Sequence, residues 1–185
     1  MKSNIPIKTL LIGEARCGKT SMINQLLYQN IDGDYRIHND LFYPYSVYVD
    51  GNENQLQIFD TKGDKIYRKL NEVYFSNSKI VLFVFDMTNR SSFEKIKDYW
   101  NGENDFCVFV VATKADDILH YAIKEEEVDE FCKENGYEWK LVSSIVTDEV
   151  IDLFNVIVEK YVRGHYRKNH YPIFRLLNKK IDNCI

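Results

Sequence analysis

The eight residues Gly13-Glu14-Ala15-Arg16-Cys17-Gly18-Lys19-Thr20 read G-x-x-x-x-G-K-T, residue types that could hold phosphate. Glycines let successive backbone N–H groups converge on one concavity that an anion can fill. In that arrangement Lys19 would reach the β- and γ-phosphates of a nucleotide, and the Thr20 hydroxyl would bind Mg²⁺. A bare match also occurs by chance in ordinary loops, so the flanking residues decide. Upstream, Ile5 to Ile12 (IPIKTLLI) is an apolar run of strand length. Downstream, Ser21 to Tyr28 (SMINQLLY) has Met22, Leu26 and Tyr28 at helical spacing. A loop between strand end and helix start gains the positive end of the helix dipole.

Three more polar motifs follow in order: Asp60-Thr61-Lys62-Gly63-Asp64, Thr113-Lys114-Ala115-Asp116 and Leu141-Val142-Ser143-Ser144-Ile145. Asp60 is placed to hold Mg²⁺ through a water, and Gly63 to offer a backbone N–H to a γ-phosphate. The Asp116 carboxylate can accept from N1–H and N2–H of a guanine edge, whereas adenine presents the opposite pattern there. Lys114 can lay its aliphatic stem on the base plane. Taken singly, each motif is better explained as a turn or a cap. Their common order, each after a strand-like run, is what argues for one site.

The elements that must position these motifs alternate between strand and helix, which predicts an α/β fold with a mostly parallel sheet. Asp50-Gly51-Asn52 between Tyr45–Asp50 and Asn54–Phe59 signals a hairpin, hence one antiparallel strand. Ile80–Phe85 (IVLFVF) and Phe106–Ala112 (FCVFVVA) are continuously apolar, as strands at the buried centre of a sheet would be. Helices are predicted over Ser91–Trp100, Glu125–Glu134 with Asn135-Gly136 as a C-cap, and Asp148–Val162. A helical segment also runs to about Phe75, and Trp139–Val142 reads as the last strand.

At 185 residues the chain is one domain's worth, large enough for a sizeable core. A net charge of −4 argues against a dedicated nucleic-acid binder. No apolar run approaches the ~20 residues of a bilayer span, and no signal-peptide pattern opens the chain. Cys17, Cys107, Cys132 and Cys184 have no metal-ligand spacing, so reduced thiols in the cytosol are expected. Cys17 reads as structural, with an oxidisable thiol in a positive pocket as the weaker alternative.

From about Ile5 to Arg163 the chain resembles the Ras superfamily of small GTPases, and within it the Rab family. LQIFDTKGDKIYRKLNEVYF is similar to the Rab segment around its second switch, with Tyr67 and Tyr74 where Rabs carry aromatics. IVLFVFDMTNRSSFEKIKDYW resembles the Rab strand and following helix. The loop GEARCGKT also resembles that of the Miro GTPases, but the second-switch region matches Rabs better.

The resemblance implies a P-loop NTPase of the Ras-like G-domain type over residues 1–163, followed by a basic, partly apolar tail over 164–185. It implies a mostly parallel central sheet with one antiparallel edge strand and helices on both faces. The implied ligands are GTP or GDP with Mg²⁺, and the implied reaction is hydrolysis of GTP to GDP and phosphate. Gly13, Glu14, Ala15, Arg16, Cys17 and Gly18 would line the phosphates with Lys19, Thr20 and Ser21. Thr113, Lys114 and Asp116 would hold the base with Ser143, Ser144 and Ile145, which stand where the family has Ser-Ala-Lys. The metal would sit on Thr20 and, through water, Asp60; catalysis would fall to Gly63, Lys19 and Asp64. Effector and regulatory proteins would bind through residues 30–46 and 63–76, and nucleic acid is not an expected partner.

Several positions depart from that pattern. Asp64 stands where the family has the Gln that orients the attacking water, and no Thr occurs between Ser21 and Asp60 to serve the first switch. Ile37 or His38 aligns with that Thr, and Ser46 falls too late, in the strand. Ala15 and Arg16 replace small loop residues, with Arg16 expected in solvent, and Thr113 replaces the usual Asn. Cys184-Ile185 matches neither a C-a-a-X box nor a double-Cys ending. The expectation is a cytoplasmic Rab-like regulator of membrane traffic with weak hydrolysis, peripheral to an intracellular membrane at most. The rivals are a G-domain scaffold with nucleotide as a structural ligand, and an ATP-binding P-loop kinase, which leaves Asp116 unexplained.

Overall fold

The structure is a computed structural model that describes residues 5–28, 42–61, 75–99 and 106–164. The expectations for residues 30–41, for Gly63, Asp64 and the helix up to Tyr74, for Trp100, and for the tail beyond Gly164 lie outside the described residues.

Among the described residues, six strands form one sheet in the order β2-β3-β1-β4-β5-β6. They are β1 (Ile7–Ile12), β2 (Tyr43–Val49), β3 (Asn52–Asp60), β4 (Ile80–Asp86), β5 (Cys107–Thr113) and β6 (Glu138–Leu141). Every pairing is parallel except β2 with β3. The hairpin joining those two turns at Asp50 and Gly51, whose φ values of 50° and 76° suit the right-handed twist of the strands. β2 is thereby the antiparallel edge strand.

Strand β4 is buried at every position but Asp86, and β5 at every position, as their unbroken apolar sequences require. The middle of the sheet is β1 beside β4; β5 lies one place out, between β4 and β6. The apolar run at 106–112 is therefore not at the centre. It is buried on both faces because helices cover even this outer part of the sheet.

Among the described residues four α-helices provide that cover: α1 (Lys19–Tyr28), α2 (Arg90–Tyr99), α3 (Glu125–Asn135) and α4 (Thr147–Val162). Met22, Ile23 and Leu26 of α1 join Leu153, Phe154, Ile157 and Val158 of α4 in one core cluster with Leu11, Leu82 and Val111. Phe93 and Ile96 of α2 join Val128 and Cys132 of α3 in a second, with Leu10, Phe83 and Phe85. The two clusters use alternate residues of the same strands, so the sheet is sandwiched between helix layers. Each fully buried Leu, Ile, Val or Phe contributes roughly 1.5–3 kcal/mol. α3 ends at Gly136, whose φ of 69° permits its N–H to reach the Cys132 and Lys133 carbonyls.

Most boundaries match the periodicity within two residues. α1 begins at Lys19 rather than Ser21, because the first i→i−4 bond runs from Met22 N–H to the Gly18 carbonyl. A short 3₁₀ turn at Ile118–His120 was not expected from the sequence.

Candidate functional site

Gly13–Thr20, Asp60 and Thr61, Thr113–Asp116 and Leu141–Ile145 lie at or beyond the carboxyl ends of β1, β3, β5 and β6, where open parallel sheets place their ligand sites. The loop after β1 is folded tightly. A Cβ added at Gly13 would lie 2.1 Å from the Val84 carbonyl oxygen and 2.8 Å from Cys17 Sγ, so no side chain fits there. Gly18 has φ +88°, and a Cβ there would lie 2.9 Å from Ser144 Oγ. Arg16 is exposed and adopts φ 68° without being glycine, a conformation that costs on the order of 1 kcal/mol or more.

Lys19 is buried, and its ammonium donates to the Gly13 carbonyl at 2.9 Å and the Glu14 carbonyl at 2.6 Å. Among the described residues no carboxylate pairs with it. A buried cation held by neutral carbonyls fits an anionic ligand, to which those hydrogen bonds can be transferred. Thr20 Oγ1 donates to Asp60 Oδ2 at 2.5 Å, joining the first turn of α1 to the last residue of β3. A hydroxyl beside a carboxylate is the hard oxygen set that suits Mg²⁺.

Cys17 is packed rather than presented. Its thiol donates to the Val84 carbonyl at 3.3 Å and is almost wholly buried. Burial pushes its pKa up, and the neighbouring Lys19 ammonium only partly opposes that. The protonated thiol is thus favoured, which disfavours reactivity.

On the base side, Thr113 is fully buried, with its hydroxyl 3.0 Å from the Cys17 carbonyl and 2.9 Å from that of Phe85. Lys114 has φ 67°, the left-handed conformation that turns the chain sharply after β5. Ser143 Oγ donates to Asp116 Oδ1 at 2.6 Å and fixes the carboxylate. The Ser143 N–H in turn donates to Glu149 Oε2 at 2.7 Å, and Ala115 N–H to the Val142 carbonyl at 3.3 Å. Ser144 is buried, whereas the Ile145 side chain is exposed and its carbonyl accepts from Gln25 Nε2 at 2.9 Å. Ala15 is exposed at the loop tip, and Ser21, in the first turn of α1, is half-buried.

The structure thus brings together the loop residues 13–21, Asp60, Thr113, Lys114, Asp116 and Ser143–Ile145. Gly63 and Asp64 lie outside the described residues. Ser46 lies within β2 with its hydroxyl on Glu53 Oε1 at 2.6 Å, committed to the strand as its position implied. Glu149 and Gln25, which brace the Ser143–Ile145 loop, were missed from sequence. So was an ion pair between Glu14 and Lys95. Each joins residues too far apart in sequence, or too ordinary in type, to be read from spacing.

A model of the Ras family matches residues 8–163. A probable Rab-related GTPase of Acanthamoeba polyphaga mimivirus is 32% identical, over 83% of this chain and 75% of its own length. The Ras-related protein Rab-18 of Caenorhabditis briggsae is 29% identical over 92% of this chain and 88% of its own. The Ras-related protein Rab-26 of Bos taurus is 26% identical over 94% and 70%. With the sheet order and the loop geometry above, the chain belongs to the Ras family, as a divergent Rab-like small GTPase.

Proposed function

We propose that this chain binds GTP and GDP with Mg²⁺ and serves as a Rab-like regulator of membrane traffic whose own GTP hydrolysis is weak. The observation that carries the guanine reading is the Asp116 carboxylate, held by Ser143 and three residues beyond Thr113, whose hydroxyl is bonded to the phosphate loop. Bound beside Thr20 and Asp60, Mg²⁺ would neutralise charge on the phosphate oxygens. Lys19 supplies the fixed positive charge, Thr20 would hold the metal directly and Asp60 through a water, and Thr113 ties the phosphate loop to the base strand. Asp116 selects guanine over adenine by accepting from two N–H groups.

Weak hydrolysis follows from two sequence positions. Asp64 puts a carboxylate where a neutral water-orienting amide is expected, and its charge opposes the build-up of charge on the phosphoryl oxygens. The absence of any Thr from Ser21 to Asp60 removes a γ-phosphate contact that would distinguish the GTP state. Effectors and regulators would bind through residues 30–46 and 63–76. No helix among the described residues is long and apolar enough to cross a membrane. Denaturing the purified protein and identifying the released nucleotide by chromatography tests the reading. Guanine nucleotide is expected; adenine nucleotide, or no measurable guanine affinity, overturns it.

A further inference from the structure

Glu14 places a carboxylate inside a loop whose other features suit an anion. The ligand proposed for this loop carries several negative charges, so an uncompensated carboxylate there would repel it. The compensation comes from another element. Lys95 Nζ of α2 forms an ion pair with Glu14 Oε1, and the two side chains are only 33% and 24% exposed. Such partial burial weakens solvent screening and makes the pair more effective than one at the open surface.

α2 is held where it can deliver that lysine. Phe93 packs in the core with its ring centroid 4.9 Å from Phe85, tilted, and 5.5 Å from Phe131, edge to face, and Ile96 is buried in the same cluster. At the start of the helix, Ser92 Oγ accepts the Asp86 N–H at 2.9 Å, fixing α2 to the end of β4. Glu14 is held from both ends. Its main-chain carbonyl accepts Lys19 Nζ, while its side chain is drawn to Lys95. One of the residues whose carbonyls hold Lys19 is therefore the one that α2 grips.

We propose that Lys95 is a positioning residue for nucleotide retention, acting through Glu14: it neutralises the loop carboxylate and holds it on α2. The inference rests on the nucleotide-binding reading above. Its effect must depend on Glu14 and must be larger for the more highly charged nucleotide.

The test loads the full chain with a fluorescent GDP or a fluorescent non-hydrolysable GTP analogue and measures release into excess unlabelled nucleotide. Lys95→Met is expected to release GDP faster by roughly fivefold to tenfold, the scale of a partly buried charge pair, and the GTP analogue by more. Lys95→Arg keeps the charge and should stay near wild type. In a Glu14→Gln background, adding Lys95→Met should change neither rate. Should Lys95→Met not fold, Lys95→Gln against Lys95→Arg makes the same comparison. Unchanged release from the neutral variant, equal acceleration of both nucleotides, or acceleration that persists without the Glu14 charge overturns the inference alone. A wild type that binds no guanine nucleotide overturns the underlying reading, and this inference with it.

Discussion

The Thr113 hydroxyl lies 3.0 Å from the Cys17 carbonyl oxygen, so one buried side chain of β5 fastens the phosphate loop to the strand that leads to Asp116. Thr113→Val keeps the shape and removes the donor. The one hydroxyl proton shared between the Cys17 and Phe85 carbonyls is lost, at an expected cost of about 1–3 kcal/mol in unfolding free energy. Denaturant titration checks the value; an unchanged midpoint would mean that water replaces the hydroxyl.

Asp116→Ala should lose about 1.5–3 kcal/mol or more of guanine-nucleotide affinity, the scale of hydrogen bonds to a charged group. Competitive titration with GDP and ADP checks it. The discrimination between the two bases should fall along with affinity for GDP, and discrimination that survives would show that another residue reads the base.

Gly13→Ala forces a methyl to within 2.1 Å of the Val84 carbonyl, a backbone atom that cannot step aside. Overpacking of this kind costs about 1–3 kcal/mol or more, and the loop must move away from β4 to relieve it. Thermal unfolding should show the loss together with weakened nucleotide binding. A variant with wild-type Tm would contradict the close approach of loop and strand.

Burial pushes the Cys107 and Cys132 thiols up to about 12 from an ordinary value of 9.0. In the unfolded chain they ionise near the ordinary value, so the unfolded state holds fewer protons between those limits. The stability contributed by the protonated thiols is fully present below pH 9 and is lost as pH rises toward 12. The expected slope is a loss of about 1.4 kcal/mol per pH unit per thiol. Urea midpoints at alkaline pH check this, and Cys107→Val and Cys132→Val should flatten the slope.

Hydrolysis should run at or below about 10⁻⁴ s⁻¹, the slow intrinsic range of such enzymes. Single-turnover assays of wild type and Asp64→Gln separate the two departures. A restored rate in Asp64→Gln assigns the defect to water positioning, and an unrestored rate assigns it to the missing first-switch Thr. Wild-type hydrolysis well above that range would refute the weak-enzyme reading.

What the sequence revealed was what local chemistry dictates. The unbroken apolar runs of β4 and β5, the Asp50-Gly51 turn and the Gly136 cap announce themselves because few other conformations suit those residues. The loop from Gly13 to Thr20 did so for the same reason. The start of α1 at Lys19 was not legible, since Gly18 before it is equally at home in a phosphate loop and at a helix N-cap. Arg16 and Lys114 take positive φ values without the glycine that would signal them. The bracing of the site escaped for a third reason. Glu14 meets Lys95 across 81 positions, and Gln25 meets Ile145 across 120, through folding alone. Side-chain type cannot foretell such meetings when both partners are ordinary surface residues.

Arg163 Nη2 donates to Asp50 Oδ1 at 2.8 Å, fastening the last turn of α4 to the β2–β3 hairpin. That hairpin opens β3, whose far end is Asp60 beside Thr20. The sheet therefore has two poles about a strand length apart, ~20–30 Å by the rise per residue. The chain passes Gly164 at one pole, and the phosphate loop faces out from the other. Anything that holds the protein by the segment beyond Gly164 grips it at its foot and leaves its head turned outward.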